Sequence, residues 1–150
     1  MSEARPADVL APVRLEVTQE RIDRYADLSG DYTPLHVDPE FGRRTEFGST
    51  IAHGPVCAAL FFDVIHSWLG TGWAEGVEIQ AVFLAPVRSG DMVEARGSLA
   101  PPSGHESEAR IVQLVCTKAD GEIAISGTAS VMPTSNASVM PKPSEGGASR

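Results

Sequence analysis

An acid and an imidazole lie five positions apart in residues 28–36, whose sequence is LSGDYTPLH. Gly30 allows a sharp turn at the start of this segment, and Pro34 fixes the backbone between the acid and the imidazole. Asp31 and His36 can therefore face one small volume. Such a pair can move protons, because the carboxylate takes one from water while the imidazole gives or receives one nearby. The same residue types are also common in turns, so the alternative is a solvated turn without a catalytic role.

Three segments of the chain resemble the MaoC-like, (R)-specific enoyl-CoA hydratases, a family also called hydratase 2. They are YADLSGDYTPLHVDPEF at 25–41, IAHG at 51–54 and FLAPVRSGD at 83–91. The resemblance covers residues 13–131. The chain departs from the family pattern at Thr33, where the family usually has Asn, and at Gly42, where it usually has Ala or Ser.

Hydration of an α,β-unsaturated thioester, the reaction that this resemblance implies, needs a base, an acid and a site for the negatively charged oxygen. The resemblance implies that Asp31 activates water and that His36 protonates the α-carbon. Dehydration of an (R)-3-hydroxyacyl thioester would use the same groups in exchanged roles. The N–H of Gly54 at a predicted helix N-terminus is a suitable donor to the thioester oxygen, since the helix dipole favours an anion there. The matching family position has this role, and a plain turn glycine is the alternative.

Four further residues are candidates for substrate binding. Thr33 replaces the Asn that helps to position the reacting groups in the family, and its hydroxyl is a shorter donor and acceptor than an amide. The other three are arginines that could meet the phosphates of CoA or the acidic surface of an acyl carrier protein, or could be solvated surface charges: Arg43, Arg44 and Arg88.

Two other functions stay open. The first is a thioesterase on the same fold, in which Asp63 or Glu40 activates water at the thioester carbonyl. Asp63 and His66 lie three positions apart on one helix face, where a structural pair is the simpler interpretation. The second is a non-catalytic thioester-binding subunit of a larger complex, which the departure at Thr33 allows.

The composition predicts one globular domain of 150 residues, 42% of them apolar. A net charge of −8 argues against a nucleic-acid partner. No apolar run approaches the ~18 residues that a membrane span needs. Residues 1–12 carry acids and prolines without an apolar core, so we expect no signal peptide and a cytoplasmic protein. The predicted domain is 12–132, between a flexible N-terminus at 1–11 and a disordered tail at 133–150.

The sequence predicts neither a metal site nor a cofactor. The four histidines are scattered, and no Gly-rich phosphate loop is present. Cys57 and Cys116 have apolar neighbours and no C-x-x-C spacing, so they are interpreted as buried small hydrophobic residues.

Helix signals place the candidate acid and imidazole directly after a helix. Thr18 can cap that helix, and Gly30 is a stop signal because glycine enters the left-handed conformation cheaply. The connection at 31–52 is predicted to be mostly irregular, with one turn of helix at 38–41. Gly42 is expected to interrupt anything longer.

The remaining segments predict an α+β domain with an antiparallel sheet around a buried helix. Residues 54–69 are apolar nearly all round and predict that helix. The segment at 106–117 is apolar on both faces and is expected to be the central strand. Strands are predicted at 13–17, 77–83, 93–99, 106–117 and 123–131, with a hairpin turn at Asp120-Gly121. The resemblance implies a single hotdog fold and a homodimer whose two sheets join edge to edge.

Overall fold

An antiparallel sheet and one long helix form the core of the protein. The computed structural model describes residues 8–70, 76–101 and 109–132. Within these residues, five strands form one sheet in the order β1-β3-β4-β5-β2, so β4 is the central strand as predicted. The elements in chain order are β1 (Val13–Glu16), α1 (Gln19–Ser29), α2 (Pro34–Val37), α3 (Pro39–Arg44), α4 (Gly54–Leu69), β2 (Val77–Phe83), β3 (Met92–Leu99), β4 (Arg110–Lys118) and β5 (Ile123–Val131).

Helix α4 packs its apolar face against the sheet, which confirms the predicted fold. Its fully or nearly fully buried residues are Cys57, Leu60, Phe61, Val64 and Ile65. Burial of a side chain such as that of Phe61 contributes about 1.5–3 kcal/mol. Glycines in two strands allow close packing. A Cβ at Gly97 would lie 3.0 Å from Val64 of the helix. One at Gly127 would lie 2.4 Å from the Gln80 carbonyl oxygen of the neighbouring strand and 3.0 Å from Phe61 of the helix.

The prediction that α4 is buried nearly all round is wrong for its outer face. Phe62 is 47% exposed in this chain, and Asp63 and His66 are exposed beside it. The physical reason is that one sheet of five strands covers only one side of the helix. The prediction followed the apolar majority of the helix and gave too little weight to Asp63 and His66, which mark the exposed face.

The residues that mark the start and the end of α1 act as predicted. The Thr18 hydroxyl accepts a hydrogen bond from the N–H of Arg21. Gly30 ends the helix with φ of +77°, and its N–H donates to the Ala26 carbonyl. Buried Ile22 ties the helix to the core. The segment that follows Gly30 therefore starts from a fixed point.

Residues 31–52 contain more helix than predicted. The carboxylate of Asp38 caps α3 by accepting from the N–H groups of Glu40 and Phe41, and α2 precedes it. The expectation that Gly42 interrupts the helix is wrong, because Gly42 lies inside α3. A Cβ there would overlap the backbone of Ser49 and Thr50. The glycine is needed for a close approach of two segments and not for a break.

The last two strands form the predicted hairpin. Gly121 has φ of +89°, and the N–H of Lys118 donates to the Glu122 carbonyl. Strand β4 begins at Arg110, and the predicted strand residues 106–108 lie outside the described residues. The whole predicted tail and most of the predicted N-terminus also lie outside them, and the domain boundaries stay a prediction. No helix among the described residues is long and apolar enough to cross a membrane.

Both cysteines are buried and free, as interpreted from the sequence. Burial raises the pKa of Cys57 to about 12 and that of Cys116 to about 11. Thiols of this kind stay protonated near neutral pH and are poor nucleophiles.

Candidate active site

The structure brings Asp31 and His36 together. Asp31 follows the end of α1 at Gly30, and His36 lies on the short helix α2. The distance from His36 Nε2 to Asp31 Oδ2 is 3.9 Å. The carboxylate side chain is 48% exposed and the imidazole 16% exposed, so water reaches the space between them.

Thr33 fixes the carboxylate of Asp31. Its hydroxyl donates to Oδ1 at 2.6 Å, and its backbone N–H donates to the same oxygen at 3.1 Å. These two bonds, the hydroxyl bond first, lower the pKa of Asp31 against the opposing effect of desolvation, with a smaller contribution from His36 and His53. Asp31 is therefore ionised well into the acid range, and Oδ2 is left to face the histidines. Thr33 does not line the cavity described below.

The tautomer of neutral His36 follows from its hydrogen bonds. Its Nδ1 lies 2.8 Å from the carbonyl oxygen of Ile51, and a carbonyl only accepts. Nδ1 therefore carries the hydrogen, and in the neutral ring Nε2 presents a lone pair toward Asp31. The backbone of His36 is also held, because its carbonyl accepts from the Gln19 side chain, which in turn accepts from the buried Thr50 hydroxyl.

His53 is the functional candidate that sequence reasoning missed. It is 3% exposed, and its ring stacks on that of His36 with centroids 3.8 Å apart and planes 26° apart. Its Nε2 lies 2.9 Å from the backbone carbonyl oxygen of Asp31. One signal was available: His53 precedes the first residue of α4, a cap position where Ser, Thr, Asp or Asn is preferred.

Gly54 is the first residue of α4, and it lines a cavity next to the two histidines. The cavity has a volume of about 580 Å³ and a largely apolar wall that includes Phe47 and Phe83. The N–H of Gly54 lies in the first turn of the helix, where amides have no acceptor within the helix. A Cβ at this position would lie 2.7 Å from the Phe83 ring. A glycine therefore leaves room for that ring and for a ligand atom at the amide.

None of the three arginines lines this cavity, although Arg88 lies behind its wall. Arg43 and Arg44 are exposed and approach the Glu40 carboxylate at 3.5 and 3.6 Å. Arg88 Nε donates to the Phe47 carbonyl at 2.8 Å, which holds one wall of the cavity. None of them lines the cavity, and neither do Asp63 and His66. Binding of a phosphate by these arginines stays a prediction.

Asp31, His36 and His53 also lie close enough to suggest a metal site, with their ligand atoms all within 4.8 Å of one another. A zinc ion needs each imidazole nitrogen at about 2.0–2.1 Å along its lone pair. In two stacked rings, a metal in the plane of one ring lies far out of the plane of the other. The stacking therefore fits the three residues for proton transfer and not for metal coordination.

Comparison with known proteins shows the family to which the chain belongs. Residues 3–116 match the sequence model of the family described as MaoC like domain. The 3-hydroxybutyryl-CoA dehydratase of Methylorubrum extorquens is 33% identical over 79% of this chain and 74% of its own length. The (R)-specific enoyl-CoA hydratase of Rhodospirillum rubrum is 34% identical over 77% of this chain and 79% of its own.

The solved structure of an (R)-hydratase from A. caviae superposes with a TM-score of 0.68 and 25% identity. The match covers 87% of this chain and 100% of that one. The sheet and central helix described above are thus a hotdog fold, and the chain belongs to the MaoC-like family.

Proposed function

We propose that this protein is an (R)-specific hydratase and dehydratase that interconverts 2-enoyl and (R)-3-hydroxyacyl thioesters. The observation that carries this proposal is the pairing of Asp31 Oδ2 with His36 Nε2 at 3.9 Å, beside a helix N-terminus and an apolar cavity. Membership of a family whose named members are hydratases and dehydratases supports the same reaction.

In the proposed hydration, a water molecule lies between the ionised Asp31 and the protonated His36. Asp31 takes a proton from the water while the water oxygen bonds to the β-carbon. His36 gives a proton to the α-carbon. The double bond is consumed, and one water is added in total. Asp31 then holds a proton, and His36 is neutral with its one hydrogen on Nδ1. Transfer of that proton across the short gap to Nε2 restores the starting state.

The thioester oxygen gains negative charge during this step. We propose that the N–H of Gly54 donates to it, because the amide is at the start of α4 and borders the cavity. The positive end of the helix dipole favours an anion at the same place. The acyl chain would then lie against the apolar wall that contains Phe83.

An assay with crotonyl-CoA tests the proposal and separates it from the two alternatives. Loss of the enoyl absorbance without thiol release indicates a hydratase, whereas release of free thiol indicates a thioesterase. Neither signal, with crotonyl-CoA and with longer enoyl thioesters, would favour the non-catalytic binding subunit. Asp63 is exposed on α4, and the Glu40 carboxylate approaches Arg43 and Arg44. The carboxylate that meets His36 and His53 in the described structure is that of Asp31, which gives the thioesterase no support.

Replacement of Thr33 by Val should move the acid limb of the profile of kcat/KM against pH to higher pH. The Thr33 hydroxyl lowers the pKa of Asp31, so its removal raises that pKa. Asp31 would then be protonated, and inactive as a base, at pH values where the native enzyme still works. The profile is measured with crotonyl-CoA from about pH 3 upward, around the ordinary carboxylate pKa.

A Thr33→Ser variant is the matched control, because it keeps the hydroxyl and should retain the native acid limb. An unchanged limb in Thr33→Val would show that the hydroxyl does not govern the ionisation of Asp31.

Replacement of Gly54 by Val should lower turnover at least about tenfold with a smaller change in KM. A donor to the developing oxyanion contributes about 2.7–4 kcal/mol, and the added side chain crowds its approach. The new side chain also meets the Phe83 ring. A Gly54→Val/Phe83→Leu double variant relieves that clash and should stay slow. If the double variant regained native turnover, ring displacement and not the amide would explain the loss.

We also propose a homodimer joined at the β2 edge of the sheet. Within the described residues β2 pairs only with β5, so its other edge is open. Val82, Phe83 and Leu84 are each more than half exposed at its end, next to the cavity. A second copy would pair the open edge and cover these residues.

Sedimentation should give a mass of about 32 kDa, twice the 15.9 kDa of the chain. Val82→Glu should shift the protein toward the monomer, whereas Glu16→Lys on the opposite edge strand should not. A native monomer at micromolar concentration would contradict the dimer. Binding of CoA or carrier-protein thioesters and a cytoplasmic location stay predictions.

A further inference from the structure

His53 makes three contacts with the proposed proton-transfer pair and presents almost no surface of its own. Its Nε2 lies 2.9 Å from the Asp31 carbonyl oxygen and 3.8 Å from Oδ2 of the same residue. Its ring lies against that of His36, and Tyr25 contacts it with ring centroids 4.9 Å apart. The mechanism proposed above assigns His53 no step.

The hydrogen bonds place the two stacked histidines in opposite tautomers. The Asp31 carbonyl can only accept, so His53 Nε2 carries a hydrogen. His36 carries its hydrogen on Nδ1, because that nitrogen meets the Ile51 carbonyl. His53 Nδ1 is then left with a lone pair, and it is buried without a hydrogen-bond partner in the described structure.

That unpartnered nitrogen argues against a space-filling role for His53. A buried polar atom without a partner is unfavourable, and an apolar ring would fill the same volume without it. What an apolar ring cannot supply is the Nε2–H that holds the Asp31 carbonyl.

We propose that His53 is a positioning residue that keeps Asp31 and His36 at the distance and orientation needed for proton transfer. Its Nε2–H fixes the peptide group of Asp31, and its ring supports the face of His36. Thr33 fixes the carboxylate end of Asp31, and His53 fixes the backbone end, so Oδ2 stays 3.9 Å from His36 Nε2. This inference rests on the proposed hydratase function, since it assigns a residue to the same site.

Two variants separate the ring from its donor. His53→Phe keeps an aromatic ring against His36 and removes the N–H. His53→Gln keeps an amide donor near the position of Nε2 and removes the ring. Both are measured as the full chain with crotonyl-CoA, or with whichever enoyl thioester the native protein hydrates. His66→Phe, on the exposed face of the same helix, is the matched control and should keep native kcat and KM.

His53→Phe should lower kcat by roughly 10- to 100-fold with KM within about twofold, since misplacement by about 1 Å costs up to ~100-fold in rate. His53→Gln should recover several-fold of that loss. Native kcat in a folded His53→Phe protein, or a Gln variant no faster than the Phe variant, would overturn the positioning role.

The tautomers give a second measurement that needs no turnover. At a pH where both rings are neutral, two-bond ¹H–¹⁵N correlation spectra of the native protein should show His53 with its hydrogen on Nε2 and His36 with its hydrogen on Nδ1. A neutral His53 with its one hydrogen on Nδ1 would overturn the proposed contact even in an active enzyme. A native protein that hydrates no enoyl thioester would overturn the proposed function itself, whereas an active native protein with a fully active His53→Phe variant removes only the role of His53.

Discussion

Asp31→Asn is expected to fold normally and to lose at least about 100-fold in turnover, the lower end for general acid–base catalysis. An amide cannot take a proton from water, so the base is removed. The amide oxygen can still accept the two hydrogen bonds from Thr33 that now reach Oδ1, so the segment should keep its shape. Turnover is followed by the loss of enoyl absorbance, and folding by the melting temperature.

Asp27→Asn is the matched control for this change. Asp27 lies four positions earlier, on α1, where its carboxylate accepts from the Tyr32 hydroxyl at 2.8 Å. The ion pairs to His36 and His53 in the described structure come from Asp31 and not from Asp27, so the Asp27 variant should turn over substrate at the native rate. Near-native turnover in Asp31→Asn would remove Asp31 from the mechanism.

His36 should be equally sensitive, and two substitutions there answer different questions. His36→Ala removes the acid together with the stacked ring and should also lose at least about 100-fold. His36→Asn places an amide donor near the position of Nδ1, where it can still donate to the Ile51 carbonyl, and leaves no atom at Nε2. We expect it to be as slow as the Ala variant.

His66→Asn, on the exposed face of α4, controls for loss of an imidazole and should stay active. If His36→Asn kept native turnover while His36→Ala did not, the residue would serve the structure of the segment and not the proton transfer. Kinetics at saturating substrate distinguish these outcomes from a change in affinity.

The elements that local sequence signals control were predicted correctly. Thr18 and Gly30 mark the start and the end of α1 as expected. The alternation of apolar and polar residues identified β2 and β5 with the first and last residues that the structure shows. These signals depend on neighbours within a few positions along the chain, which a sequence displays directly. The candidate pair Asp31 and His36 belongs to the same class, because a short restrained segment holds both residues.

What the sequence did not predict depends on contacts between distant positions. His53 meets the Asp31 carbonyl across 22 positions, and His36 meets Ile51 across 15. Both contacts require the segment at 45–53 to fold back beside α2, which no local pattern specifies. Gly42 was misinterpreted for the same reason, since its close approach to Thr50 exists only after that folding.

The anchoring of the segment that holds His36 has a consequence for local stability. Helix α2 has no buried residue, and α3 buries only Gly42, so hydrophobic packing within the chain contributes little there. Hydrogen bonds from Gln19, His36 and Ile51 hold the segment instead. Regions with few buried apolar contacts open at a lower free energy than the core strands do. We therefore expect this part of the chain to behave as a separate cooperative unit, which exchanges its amide hydrogens and loses its catalytic geometry while the sheet around α4 is still folded.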